Sequence, residues 1–219
     1  MPTILITGAN RGLGLEFARQ YAADGWSVVA TARESSPELD ELGSRVERLD
    51  MRDLDAVAGF GARIDGPLDL LIANAGAMQP PEASSGENGR RWAELLTVNS
   101  IAPYLLAKAL LPAVAQTQGK LIAISSRMGS IADSSGGYVP YRSSKAALNM
   151  AWNALAMEAR PKGVAAAVLN PGWVRTDMGG PNASIDPPES IGDMRRVIDG
   201  LDLARTASFL DRDGSEIPW

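Results

Sequence analysis

Apolar runs rich in β-prone residues recur along nearly the whole chain, and most are followed by a stretch with helical spacing. The strand-like runs fall at 3–7, 27–32, 45–50, 68–73, 120–125 and 164–169, with a short edge strand expected at 207–210. Helical patterns fill 13–24, 54–64, 90–116, 141–159 and 191–201, with a weaker one at 37–42. Runs such as Leu70-Leu71-Ile72-Ala73 are apolar at every position rather than at alternate ones, so both faces of such a strand must be covered. Strands alternating with helices in this way wind into a parallel sheet with helices on both sides. The chain therefore predicts an α/β fold, a doubly wound parallel sheet of about seven strands.

At 219 residues, with no internal repeat, linker or low-complexity block, it reads as one domain. Two loop-like stretches interrupt the pattern, 84–89 and the longer 176–190, and a long ordered loop in a compact domain is often a lid. A lid is therefore expected within 176–201. The net charge of −5 argues against nucleic-acid partners and against a basic membrane-surface role. The N-terminal apolar run has no basic flank or cleavage site, and no apolar stretch reaches the ~20 residues that span a bilayer. These features together predict a cytoplasmic protein.

There is no histidine and no cysteine. That removes Ser-His triads, cysteine nucleophiles and His-based zinc sites, and no metal site is expected. Proton transfer must then fall to Tyr, Lys, Asp, Glu or water. Tyr141 and Lys145 stand one helical turn apart, on one face of a helix. A nearby ammonium favours the phenolate, so Lys145 is expected to lower the Tyr141 pKa from its reference near ~10. Earlier in the chain the first strand runs into Thr7-Gly8-Ala9-Asn10-Arg11-Gly12-Leu13-Gly14 and then into a helix. Glycines there let the backbone approach a pyrophosphate at the helix N-terminus. The spacing is GxxxGxG rather than GxGxxG, and a plain glycine-rich turn is also compatible with it.

With these motifs in this order, the chain resembles the short-chain dehydrogenases/reductases over essentially its full length. The glycine motif is followed by Asn74-Ala75-Gly76, by Asn99 within a helix, by Ser125-Ser126, by the Tyr141–Lys145 motif and by Pro171-Gly172. Within that family it is most similar to the C-factor/sniffer-like carbonyl reductases, through NRGLGL, SSRMGSI, YRSSKAALN, NPGWVRTDMGG and the terminal IPW. The resemblance implies a Rossmann-type NAD(P)-binding domain over 1–219 and a carbonyl reductase or alcohol dehydrogenase activity. It implies Tyr141 as general acid, Lys145 as the group that tunes it and binds the nicotinamide ribose, and Ser126 as the substrate-oxygen partner. Asn99 would hold a water in a proton relay. Gly8, Asn10, Gly12, Leu13, Gly14, Asn74, Ala75, Gly76, Pro171, Gly172 and Val174 would line the cofactor. Thr176 resembles the position that holds the nicotinamide carboxamide. Asp50, with Met51 beside it, resembles the adenine-contacting acid, although a surface turn residue would look the same.

Ser126 and Tyr141 are fifteen residues apart, two more than in most members of the family, with a loop enlargement over 133–137. Tyr138 lies nearer the usual spacing, but its i+4 partner is Arg142, and Pro140 suits a helix start that leaves Tyr138 outside. Arg33 at the end of the second strand and Arg11 in the glycine loop are expected to converge on a 2′-phosphate. NADPH is therefore the expected cofactor, with NADH possible because Glu34 follows directly. Met128, Tyr138, Trp173 and Met178 would line a site for an apolar carbonyl substrate, and each also fits plain packing. A homodimer or homotetramer is expected through 90–116 and 141–159, using residues such as Leu105, Leu106, Leu148 and Trp152. A nucleotide-binding signalling protein of C-factor type is the alternative to an enzyme.

Overall fold

Strand order explains where a ligand can bind. A computed structural model describes residues 1–78 and 86–219. Its strands are β1 (Thr3–Thr7), β2 (Ser27–Ala32), β3 (Arg45–Arg48), β4 (Leu70–Ala73), β5 (Lys120–Ile124), β6 (Ala165–Asn170) and β7 (Ser208–Asp211). They form one sheet in the order β3-β2-β1-β4-β5-β6-β7, parallel throughout. The chain winds outward from β1 to β3, then crosses back to place β4 on the other side of β1. That reversal opens a crevice beyond the carboxyl ends of β1 and β4, where parallel sheets bind ligands.

The helices are α1 (Gly12–Ala23), α2 (Pro37–Asp40), α3 (Leu54–Ala58), α4 (Gly86–Leu96), α5 (Ala102–Ala115), α6 (Val139–Ala159) and α7 (Pro187–Asp199). They cover the two faces of the sheet, and alternation along each strand divides the core accordingly. Leu5, Leu71, Leu121 and Ala166 face one layer, packed with Val57, Leu106, Leu110 and Trp152. Ile4, Ile6, Ile72 and Ile122 face the other, packed with Phe17, Tyr21, Ile191 and Met194. Full burial of each large apolar side chain contributes about 1.5–3 kcal/mol. Leu106, Leu148 and Trp152 are core residues, at most 1% exposed, which corrects their assignment to an interface. Sequence could not separate the two because both environments select apolar side chains.

The long helix expected at 90–116 starts earlier, at Gly86, and changes pitch in its middle. Of the loop expected at 84–89, residues 84–85 lie outside the described residues and 86–89 are helical. Between α4 and α5 a π turn spans Thr97–Ile101, where the Ala102 N–H reaches back to the Thr97 carbonyl. Pro103 sits four residues after Asn99 and has no N–H to give to the Asn99 carbonyl. The helix Asn88–Ala115 is long and apolar enough to cross a membrane, one 18-residue window of it having a mean hydropathy of 1.4, which amends the expectation that no stretch is. Half of that window is buried, and Ala102, Leu106 and Leu110 belong to the core.

The stretch 176–190 is shorter as a loop than its composition implied, because α7 starts at Pro187. Proline's fixed φ and missing N–H suit that first turn. Val174 pairs with Ile185 in an isolated parallel bridge, so the two ends of the loop are tied. Gln20 Nε2 donates to the Pro188 carbonyl at 3.2 Å, and Arg195 pairs with Asp24, so α7 is fastened to α1.

Candidate active site

The glycine loop is built by close approach of three backbone segments. A Cβ on Gly14 would lie 2.2 Å from the Gly8 carbonyl oxygen and 2.6 Å from Asn74 Nδ2. One on Gly8 would lie 3.0 Å from the Ala75 Cα. No side chain fits there, and Asn74 uses the closeness: its Nδ2 donates to the Thr7 carbonyl at 2.9 Å and the Gly8 carbonyl at 3.3 Å. Thr7 Oγ1 accepts in return from the Asn74 and Ala75 N–H groups at 3.0 and 2.9 Å. Asn74 and Ala75 thus buttress the loop from behind. In front, α1 begins after Arg11 with no side-chain cap and no acidic residue in its first turn. Its free N–H groups and the positive end of its dipole fit an anion such as a pyrophosphate. Asn10 is half-buried beside it, and Leu13 packs on the apolar layer beneath.

Beyond β5 the two serines diverge. Ser125 is buried and its Oγ donates to Asn149 Oδ1 at 2.5 Å. Ser126 caps a short 3₁₀ turn, Arg127–Gly129, accepting from the Met128 N–H at 3.2 Å, and its hydroxyl lies near enough to the Tyr141 phenol to act on its pKa. Tyr138 precedes α6 in a left-handed conformation with φ 47°, and α6 carries Tyr141 and Lys145 inward, 7% and 4% exposed. Gly129 lets the 3₁₀ turn lie against this helix, since its Cβ would fall 2.9 Å from that of Lys145.

The Lys145 ammonium donates to the Ile124 carbonyl at 2.8 Å and stands 5.9 Å from the centre of the Tyr141 ring. Gly76 leaves space for it, as a Cβ there would be 3.6 Å from Nζ and 3.3 Å from Asn99 Oδ1. Burial pushes the Tyr141 phenol up to about 12, opposed by the Ser126 hydroxyl. This overturns the expected lowering: the lysine faces a carbonyl, and desolvation of the phenolate dominates. Burial likewise lowers Lys145 to about 8.

Asn99 is buried, and its side-chain amide is engaged by protein groups. Oδ1 accepts from the Ala77 N–H at 2.8 Å, while Nδ2 donates to the Ala77 carbonyl at 2.8 Å and to Ser144 Oγ at 2.9 Å. Ser144 and Asn149 were missed by the sequence reading. Both lie at helical spacing from Tyr141 on the buried face of α6, and a polar residue on an apolar face is the signal that finds them.

Around the crevice, Asp50 is held by Arg52 at 2.6 Å, and that hydrogen bond lowers it to about 2, with Arg33 adding to the effect. Met51 beside it is buried. Arg33 and Glu34 are exposed at the end of β2. Arg11 pairs through its Nη1 with Asp177 at 2.7 Å. Opposite, Pro171 and Val174 are buried and Gly172 has φ 80°. Thr176 lies over the glycine loop, its Cγ2 being 3.6 Å from where a Gly12 Cβ would stand. Of the expected substrate contacts, Met128 is half-buried, while Tyr138, Trp173 and Met178 are exposed. Trp173 is nevertheless fixed, its Nε1 donating to the Gly179 carbonyl at 2.8 Å.

Comparison with known proteins agrees with this site. A family model for short chain dehydrogenases matches residues 2–185. C-signal of Myxococcus xanthus is 42% identical over 156 residues, covering 70% of this chain and 94% of that protein. The carbonyl reductase Sniffer of D. melanogaster superposes with a TM-score of 0.92 at 32% identity, over 100% of both chains. An NADPH-bound carbonyl reductase from chicken fatty liver superposes with a TM-score of 0.87 at 33% identity, over 100% of this chain and 99% of that one. With the family match over residues 2–185 and the superposition over the whole chain, this chain belongs to the short-chain dehydrogenase family of oxidoreductases.

Proposed function

We infer that the protein reduces the carbonyl group of an aldehyde or ketone, using NADPH as cofactor. The observation that carries this reading is the Tyr141 phenol, buried near the Ser126 hydroxyl and one helical turn from Lys145. A phenol held at about 12 stays protonated at neutral pH, which is the form a proton donor needs. The reduced nicotinamide supplies the hydride when bound. Ser126 holds the substrate oxygen beside Tyr141, and Tyr141 gives that oxygen its proton as the carbon is reduced. Lys145, titrating near the working pH, returns a proton toward Tyr141 and binds the nicotinamide ribose. The Asn99 carbonyl, which Pro103 deprives of its ordinary helical donor, holds the water that extends this relay. The Asn99 side chain is engaged by Ala77 and Ser144, so its backbone carbonyl is the group left for that water.

The open N-terminus of α1 and the glycine loop receive the pyrophosphate. Arg33 and Arg11 receive the 2′-phosphate, and the NADPH-bound chicken enzyme at 33% identity supports that choice over NADH. The protein acts as a single NAD(P)-binding domain over 1–219. The lid expected within 176–201 narrows to 176–186, because α7 is fastened to α1. Self-association uses the outer face of α6, where Met150 and Met157 are 68% and 50% exposed. Sedimentation showing only monomer at micromolar concentration would remove that part.

NADPH and NADH oxidation measured against aromatic and aliphatic carbonyls tests the reading. Turnover with NADPH, lost in Tyr141→Phe while the nucleotide still binds, is the expected result. The alternative, a nucleotide-binding signalling protein of C-factor type, rests on the likeness to C-signal alone. Tight NADPH binding without turnover on any carbonyl, with a biological effect insensitive to Tyr141→Phe, would select it.

A further inference from the structure

The two arginines expected to face a 2′-phosphate are in different electrostatic states. Among the described residues Arg33 makes no ion pair, whereas Arg11 is paired with Asp177 at 2.7 Å. The two side chains are 68% and 78% exposed, so their contact owes nothing to burial. It owes its geometry to the backbone beneath Asp177. Thr176 rests over Gly12. Its carbonyl accepts from the Gly180 N–H at 2.8 Å, and its Oγ1 accepts from the Gly179 N–H at 3.2 Å. Trp173 is bonded to Gly179, Val174 is bridged to Ile185, and Arg175 pairs with Asp186 at 2.6 Å. A self-tied loop thus holds one carboxylate at the rim of the nucleotide crevice, beside the guanidinium of the glycine loop.

We propose that Asp177 is a specificity-determining residue that competes with the 2′-phosphate of the cofactor for Arg11. The inference rests on the NADPH reading above. Asp177 Oδ2 takes Nη1 of the Arg11 guanidinium, one of the donors that a bidentate phosphate contact uses. Binding a 2′-phosphorylated nucleotide therefore exchanges the Asp177 contact for the phosphate contact. Binding NADH, which has a 2′-hydroxyl in its place, leaves the ion pair intact. Asp177 so narrows the preference for NADPH, and the exchange frees the 176–181 turn from the glycine loop as that cofactor docks.

The test is titration of NADPH and NADH into wild type, Asp177→Asn, Arg11→Gln and the double variant, followed by calorimetry. An exposed ion pair is worth up to about 1 kcal/mol, so Asp177→Asn should tighten NADPH binding about two- to fivefold. It should leave NADH binding unchanged. In the Arg11→Gln background the same substitution should do nothing, and added salt should shrink the effect. Equal tightening of both nucleotides, or a gain that survives Arg11→Gln, would mean general charge repulsion and would overturn the proposal. Wild type binding both nucleotides equally would sink the NADPH reading and this inference with it. A wild-type preference for NADPH that Asp177→Asn leaves unchanged would sink the inference alone.

Discussion

Lys145 lies one helical turn from Tyr141, yet its ammonium donates to the Ile124 carbonyl at 2.8 Å and not to the phenol. Both groups are buried, and burial drives their pKa values in opposite directions, Lys145 down to about 8 and Tyr141 up to about 12. The pair therefore stands as two neutralising tendencies in one dry site.

Stability should report this directly. Lys145 titrates near 8 when folded and near 10.5 when unfolded, so between those values the unfolded chain binds more protons and stability rises with pH. The gain is about 3 kcal/mol at most. Tyr141 binds its proton more tightly in the fold than in the unfolded chain, where it titrates near 10, so stability falls above that pH. Burial also raises Tyr21, which steepens the fall. Urea melts should show a maximum near pH 10, and Lys145→Met should abolish the rise that precedes it. A variant that tracks wild type across that window would show that the fold does not depress Lys145, which would then stay charged up to its ordinary pKa.

The adjacent serines should separate stability from turnover. Ser126→Ala removes the partner of Tyr141 and should lower kcat by about 10²-fold, as loss of a transition-state hydrogen bond does. Its stability cost should be about 1 kcal/mol, that of a lost cap. Ser125→Ala leaves Asn149 Oδ1 buried without its donor and should cost about 1–3 kcal/mol while kcat holds within a few-fold. Steady-state kinetics and melts on both variants check this, and the reverse pattern would exchange the roles of the two residues.

Most of the sheet was legible because its central strands carry consecutive apolar residues, as in β4, which double coverage explains. The active-site order was legible because its motifs are local in sequence. What escaped depends on partners far along the chain. Arg11 and Asp177 are separated by 166 residues, and no local pattern marks their pairing. The Ile124 carbonyl that holds Lys145 is a backbone atom, invisible to any reading of residue types. The helix start at Gly86 was misplaced because Gly86 and Gly89 are poor helix formers. The π turn could have been suspected from Pro103, but its register is set by the clamp of Asn99 on Ala77.

Gly14 and Gly12 should respond differently to a methyl group. Gly14→Ala drives a Cβ to 2.2 Å from the Gly8 carbonyl oxygen, so the loop must open, at a cost of about 1–3 kcal/mol, and nucleotide affinity should collapse. Gly12→Ala meets only Thr176, at 3.6 Å, and its penalty is the left-handed backbone at φ 55°, about 1–2 kcal/mol. Thermal melts and nucleotide titration rank the two. A milder effect for Gly14→Ala would contradict the three-way backbone contact.

Ser130 links the loop after Ser126 to the last residues of the chain, and that link should govern substrate binding. It is 1% exposed, its Oγ donating to the Pro218 carbonyl at 2.6 Å and accepting from the Asp133 N–H at 3.0 Å. Next to it the Ala132 N–H donates to the Trp219 carbonyl at 3.0 Å, and the Trp219 ring packs on Phe209 with centroids 5.6 Å apart. The exposed segment 131–138 that leads into α6 is therefore anchored at its start by the chain terminus. Ser130→Ala removes the partner of the Pro218 carbonyl and of the Asp133 N–H, both on exposed residues, which should cost about 0.5–1.5 kcal/mol. Because Tyr141 and Lys145 are held by α6 and β5 instead, kcat should change less than KM. Hydrogen exchange should quicken at Ala132 and Asp133 while the amides of α6 keep their protection. If exchange instead rose equally through α6, the loop and the catalytic helix would unfold as one unit, and the anchor would serve global stability alone.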